Sequence, residues 1–300
     1  MRNGDGGSRV KQEAGRKEET LGVQFRKFMR RYSRNLGALV GLIVLLSVLI
    51  LAIFAPYVAP HDPYEQDWTN RLSPPSRDNL FGTDQHGRDL FSRILFGSRL
   101  ALSIGLISIA IGVVIGGFLG LISGYYGGRL DHVIMRVIDV LMAFPGILLA
   151  LAVVAALGPG LYNVMIAVGI WSIPLFSRTI RGTVLSIKEQ DYIESARSLG
   201  AGDMSIIVRH ILPNAMAPIL VLSTLRLATA LLSAAGLSFL GLGAQPPMPD
   251  WGAMLSSGRE HLETSPHLSV FPGLAIMLLV LSFNMVGDGL RDALDPRLKQ

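Results

Sequence analysis

Six apolar stretches constrain this chain more than any other feature: Leu36–Pro56, Leu100–Leu121, Ile134–Leu157, Asn163–Val184, Ile219–Leu242 and Val270–Val286. About 20 apolar residues in a helix cross the hydrocarbon core of a bilayer. Lipid offers no partner to an unpaired backbone N–H or C=O, so such segments must pair internally as helices. The expectation is an all-α integral membrane protein of six transmembrane helices. Composition agrees, with 50% hydrophobic and 16% charged residues, where soluble chains run near 25% charged. The fourth stretch is the weakest, because its apolar part stops at Phe176, ahead of Arg178 and Arg181. It is kept because an odd number of spans would break the charge pattern.

That pattern gives direction. Lys and Arg gather on the cytoplasmic side of spans. With the N-terminus inside, twenty basic residues fall on the inner side and six on the outer, and Arg226 lies within a span. Both termini are therefore expected in the cytoplasm. The chain divides into a basic, aperiodic tail (1–35), a first transmembrane helix (36–56), an extracytoplasmic loop with short helices (57–99) and a five-helix core (100–300) with a cytoplasmic loop at 185–218. The net charge of +5 sits in the tail and reads as membrane-facing, so no nucleic-acid partner is expected. The first span follows 35 residues and is long, which favours a retained anchor over a cleaved signal.

The second span contains Gly112, Gly116, Gly120 and Gly124, four residues apart on one helical stripe. Such a stripe admits a neighbouring helix backbone to backbone; helix packing is the plainer reading and a substrate groove the alternative. Pro145 and Pro174 are expected to kink the third and fourth spans. The chain has no cysteine, which removes disulfides, thiolate metal sites and cysteine catalysis. It has no GxxxxGK[ST] phosphate loop, so ATP hydrolysis is not expected of it. An intramembrane enzyme would need a nucleophile and base paired inside the spans, and no such pair is evident. An ion-coupled secondary transporter would be expected to show broken-helix repeats and buried acids; repeats are not evident and the acids are few.

Between the fourth and fifth spans lies EQDYIESARSLGAGDMSIIVRHILPNAMAP, residues 189–218. Tyr192, Ala196 and Leu199 share one face at helical spacing. Gly200 fits a helix C-cap with left-handed backbone. Asp203 then fits the N-cap of a second helix, Met204 to Ile211, and Pro213 is expected to stop it and turn the chain into the fifth span. The product is a helix–glycine–helix elbow at the membrane surface. Its exposed apolar face would lie either on lipid or on a protein partner.

The residues Glu194, Ser195, Ala196, Gly200, Leu212 and Pro213 resemble the EAA loop of bacterial ABC-importer permeases, E-A-A, three residues, G, nine residues, I-x-L-P. Ser195 replaces a small residue by another, and His210 stands where isoleucine is usual. Further stretches, LFGTDQHGRDLFSRILFGSRLAL, LSFLGLGAQPPMPDWGAML and FNMVGDGLRDALDPRLK, are similar to the dipeptide, oligopeptide and nickel branch of that family, specifically the second permease of the pair. MRVIDVLMAFPGILLALAVVAALG is also similar to the glutathione importer's permease. The resemblance implies the type I importer permease fold, in a bacterial or archaeal cell membrane. It implies a heterodimer with a second permease, two ATPase subunits that use ATP and Mg, an extracytoplasmic solute-binding protein, and no cofactor on this chain. It implies coupling to the ATPase through Tyr192, Glu194, Ser195, Ala196, Leu199, Gly200 and Pro213. Dipeptides or oligopeptides are the expected cargo, with glutathione or nickel chelates as alternatives.

Other groups of residues stand out. Gly82, Asp84, Gly87, Arg88 and Asp89, with His86, suggest a metal site at first sight. The structural reading is favoured: glycines making turns, Asp84 and Asp89 capping short helices, Arg88 paired with an acid. The remaining histidines, His61, His132 and His267 among them, are too scattered for a metal. Arg226 and Asp139 lie at similar depths from the cytoplasmic side, and are expected either to form a buried pair or to leave Arg226 lining the pathway. PPMPDWG reads as an outer loop with Trp251 in the interfacial belt. Asp288 is expected to reach the inner surface, and Asn284 a polar substrate or that surface.

Overall fold

The computed structural model describes Arg26 and residues 29–294; most of the basic tail and the last six residues lie outside them. Helix α1 is Leu36–Ile53. The Asn35 side chain caps it, accepting from the Ala38 N–H at 3.1 Å. Its mean hydropathy is 3.0, yet only Ala38, Gly41 and Ala52 are buried. A helix apolar on every side and mostly uncovered by protein is what lipid requires. A single turn, Ala55–Val58, and a loop with one short 3₁₀ turn at Trp68–Asn70 follow.

Helix α2 runs Leu90–Tyr126, starting ten residues before the expected span. Asp89 caps it through the Ser92 N–H at 2.8 Å. One π-turn, Gly112–Gly116, interrupts its α geometry. The glycine stripe faces helix α5 (Leu161–Lys188). A Cβ on Gly116 would lie 2.5 Å from the Ile173 carbonyl oxygen, and one on Gly124 would lie 2.9 Å from that of Arg181. The stripe is a helix-packing surface, and the groove alternative fails because α5 fills it.

The expected third span is two helices. Helices α3 (Gly128–Met142) and α4 (Gly146–Leu157) meet at 91°. Pro145 does more than kink: it lacks an N–H and disfavours helical backbone at Phe144. Among the described residues, five helices are long and apolar enough to cross a membrane, or six if the bent pair counts as one. Helix α3 carries Arg129, Asp131, His132, Arg136 and Asp139 among apolar residues, and its two acids supply the negative charge that α5 lacks. Asp131 takes both Nε and Nη2 of Arg181 at 2.6 Å, and Asp139 pairs with Arg178. The two arginines that weakened the fourth stretch are thus answered from a neighbouring helix. Pro174 is carried inside the continuous α5.

Helix α6 (Asp191–Ser198) leads to α7, which runs unbroken from Asp203 to Phe239. Pro213 does not stop it. A π-turn at Ile207–Ile211 lies just ahead of the proline, where a widened turn relieves the clash of a proline ring with the preceding turn. Asn214 Nδ2 donates to the His210 carbonyl at 2.6 Å and serves a backbone acceptor there. Helices α8 (Trp251–Gly258) and α9 (His267–Leu294) complete the described residues. One core gathers α2, α4, α5, α6 and α7 around Phe176 and Leu237; another joins α2, α7, α8 and α9 around Leu90, Trp251 and Leu279.

Candidate functional site

The elbow is assembled from Lys188 onward. Lys188 Nζ donates to the Tyr125 carbonyl at 2.6 Å and ties the end of α5 to the end of α2. Helix α6 buries one side chain, Ile193, only 1% exposed. The expected face of Tyr192, Ala196 and Leu199 points the other way: Leu199 is 88% exposed and Tyr192 is exposed, with Ala196 half-buried. Glu194 and Ser195 are also exposed.

Gly200 sits at φ +84°. Its N–H donates to the Arg197 carbonyl at 2.9 Å, and the Ala201 N–H to that of Ala196 at 3.1 Å. These are the paired bonds of a Schellman cap, which needs a left-handed residue at this position. Asp203 does not cap α7. The N-cap is Gly202, and Asp203 lies in the first turn, where its charge still suits the helix N-terminus. Its carboxylate accepts instead from Tyr125 Oη at 2.7 Å. Ile206, Ile207 and Ile211 are buried in the same core as Ile193, leaving Met204 and Val208 outside. His210 lies with its ring 6.2 Å from that of Tyr192, and Asn214 Nδ2 reaches Tyr192 Oη at 3.4 Å. The departure from isoleucine therefore joins the two arms of the elbow. Ile193, Tyr125 and Asn214 were not singled out from sequence; an isoleucine inside a polar octapeptide was the available sign for the first.

At the opposite end of the bundle, the 57–89 loop folds back on itself, with the Leu72 N–H on the Asp84 carbonyl and the Thr83 N–H on that of Ser73. Gly82 and Gly87 take φ +81° and +74°, with the backbones of Ser73 and Asp67 filling the space beside them. Asp84 accepts from the N–H groups of His86 (2.8 Å) and Arg88 (3.0 Å) and from Arg88 Nε (2.7 Å). It caps a turn, not a helix. Asp89 does cap a helix, and also accepts from Asn79 Nδ2 at 2.9 Å. Burial and the guanidinium of Arg88 hold the His86 imidazole below its ordinary pKa. Trp251 is not in an interfacial belt: it is 5% exposed, and its Nε1 donates to the Ile94 carbonyl at 3.1 Å. Asp250 caps α8 through the Gly252 and Ala253 N–H groups and accepts from Ser238 Oγ at 3.0 Å. Desolvation raises its pKa against the pull of those donors.

Arg226 and Asp139 are not paired. Asp139 is taken by Arg178, while Arg226 lies over the Trp171 ring, 5.6 Å from its centre, with its Nε buried and without a hydrogen-bond partner among the described residues. Equal depth fixes height along the bundle and leaves the direction around each helix open. Asp288 is exposed and Asn284 half-buried.

The sequence matches the family of binding-protein-dependent transport system inner membrane components over residues 116–300. It also matches the N-terminal TM domain of oligopeptide transport permease C over residues 24–75. It is 51% identical over 284 residues to the glutathione transport system permease protein GsiD of Escherichia coli O6:K15:H31, covering 94% of each chain. The GsiD protein of Pectobacterium atrosepticum is 50% identical over the same length. Among solved structures, the inward-facing MetNI methionine ABC transporter superposes with a TM-score of 0.56 at 19% identity, covering 69% of this chain and 98% of that one. An amino acid ABC transporter gives 0.52 at 19% identity, covering 66% and 92%; these two likenesses speak to fold alone. The chain belongs to the binding-protein-dependent ABC-importer permeases, as a multi-pass membrane subunit of their oligopeptide-permease branch.

Proposed function

We propose that this permease forms half of a translocation pathway for short peptides, glutathione among them, and takes its driving force through the elbow at 189–213. A second permease supplies the other half. Two ATPase subunits, which bind the ATP and Mg, press on the elbow, and an extracytoplasmic binding protein delivers cargo to the far end. The chain itself binds no cofactor and hydrolyses no ATP; the absence of a phosphate loop from its sequence supports this. Both termini and the elbow then lie in the cytoplasm, in keeping with the bias of basic residues.

The observation that carries this reading is the elbow's division of faces. Ile193, Ile206 and Ile211 root it in the core, while Leu199 and Met204, 88% and 72% exposed, stand on its outside beside Tyr192, Glu194, Ser195 and Ala196. Exposed apolar side chains on a rooted, capped element mark a docking surface. Gly200 fixes the angle between the arms, and Pro213 lies where α7 carries movement into the bundle. Arg226, without an acid beside it among the described residues, is assigned to the pathway, where it attracts a peptide carboxylate. The glutathione reading of the cargo rests on the likeness to GsiD.

The chain has no cysteine, so Leu199→Cys introduces a single thiol. In the assembled importer it is expected to cross-link to an ATPase subunit and to resist a membrane-impermeant thiol reagent applied to whole cells. Labelling from outside the cell would end the coupling assignment. ATP-dependent glutathione uptake by reconstituted complex and binding protein tests the cargo.

A further inference from the structure

A cavity of 380 Å³ opens at the end of the bundle opposite the elbow, between the 84–93 segment, the Pro246–Met248 loop and α8. That volume lies in the range of small-molecule sites, about 300–1,000 Å³. Its wall holds more positive than negative charge. Arg88 and Arg93 are 9% and 5% exposed, and both face the single carboxylate of Asp84. Asp84 is already committed, with Oδ1 taking two backbone N–H groups and Oδ2 taking Arg88 Nε at 2.7 Å. Arg93 Nε lies 3.5 Å from the same Oδ2 and has no hydrogen-bond partner. Its Nη1 reaches only carbonyls, of Pro63 at 2.9 Å and Pro247 at 3.3 Å. The neighbouring acids Asp62, Glu65, Asp67 and Asp89 line a separate cleft.

Two buried guanidiniums that share one carboxylate leave an excess positive charge, which is costly unless something anionic comes to it. The shape that suits it is a carboxylate, which can take two parallel N–H groups at once. Leu90, Met254 and Leu268 give the same cavity an apolar side. We propose that this cavity is a subsite for the carboxylate of a short peptide on its way into the pathway, with Arg93 and Arg88 as the anion-holding groups. The volume favours a whole small molecule over one acidic side chain from a docking protein, which would fill only part of it. The proposal rests on the short-peptide reading above.

The test uses the assembled importer in lipid nanodiscs without its delivery protein. The probes are dialanine and dialanine C-terminal amide, with binding read by saturation-transfer NMR titration. The free acid is expected to bind roughly tenfold tighter than the amide, the worth of one charge-assisted hydrogen bond. Ser257 lines the cavity from the exposed side of α8. Ser257→Glu, which tethers a competing carboxylate there, should abolish the preference, and Ser257→Gln should keep it. Equal affinity for acid and amide, or a Ser257→Glu complex that still prefers the acid, overturns the proposal. So does a Ser257→Glu complex that loses only its docking to the ligand-free delivery protein, since the anion would then be that protein's. ATP-driven glutathione uptake by the wild-type complex with its delivery protein is measured in parallel. Uptake without an acid preference removes the subsite and leaves peptide import standing. An acid preference without glutathione uptake removes the glutathione-import reading and leaves the carboxylate site standing.

Discussion

Gly200→Val separates the elbow's angle from its contacts. A Cβ at this position meets nothing within 4 Å, so the substitution introduces no collision within the chain and acts through the backbone. An L-residue held at φ +84° costs about 1–2 kcal/mol, and a β-branched one sits at the upper end. Against this stand the two hydrogen bonds of the cap, worth about 1 kcal/mol each. In the wild type those bonds favour the closed cap by about 2 kcal/mol, roughly thirtyfold. Valine cancels that margin, and about half of the elbows then lose their set angle. Complex assembly and melting temperature should stay near wild type, because the opening is local. Uptake per ATP hydrolysed, measured in proteoliposomes with loaded binding protein, should fall to about half or below. Gly200→Asn should come close to wild type, since asparagine tolerates the left-handed region. A Gly200→Val complex, present in normal amounts with undiminished uptake per ATP, would refute this account of the cap.

Gly116→Ala should destabilise the permease by about 1–3 kcal/mol, because its new Cβ meets a backbone oxygen of α5 at 2.5 Å. Gly182→Ala, with nothing nearby, should gain up to about 1 kcal/mol of helix propensity; thermal unfolding in detergent compares the two, and equal shifts would contradict the packing argument. A double-mutant cycle between Asp139→Asn and Arg226→Gln should give no coupling, whereas one between Asp139→Asn and Arg178→Gln should give about 0.2–1 kcal/mol, as expected of an exposed pair. Asp250 keeps its proton to a higher pH when folded than its ordinary value of 3.8, so its contribution to stability is greatest at or below that value and falls as pH rises through the folded pKa. Asp250→Asn, an equally good N-cap, should remove that dependence, and melting curves that stay parallel across pH 4–8 would count against it.

Much of the fold was legible because lipid is an exacting solvent. The long apolar runs that became α1, α2, α5, α7 and α9 could have no other purpose, and Gly200 announced its backbone by being the one residue that suits it. The break between α3 and α4 was hidden because hydropathy averaged over residues 134–157 blends an amphipathic helix with an apolar one. Pro213 misled through a sound rule: proline ends helices unless a widened turn precedes it, and sequence gives no sign of a π-turn. The pairing of Asp139 failed because depth says nothing of azimuth, and Arg178 entered only as an interruption of the fourth apolar stretch. Trp251 was assigned to the interface by type, when the close approach of Gly97 had made it a berth inside the protein. In the elbow, exposure was foreseen on the correct face, but its root, Ile193, was passed over among polar neighbours.

Helix α7 runs 37 residues from Asp203 to Phe239, about 55 Å of continuous rod. Near its far tip, Ser238 is buckled to Asp250 at the start of α8, the helix that walls the arginine-lined cavity. A tilt of about 5° applied at one tip sweeps the other through about 5 Å, the height of one helical turn. Whatever leans on this lever from below cannot leave the far chamber unchanged. Movement at the elbow end then reaches the arginine-lined cavity along a single helix, with no relay of side chains between.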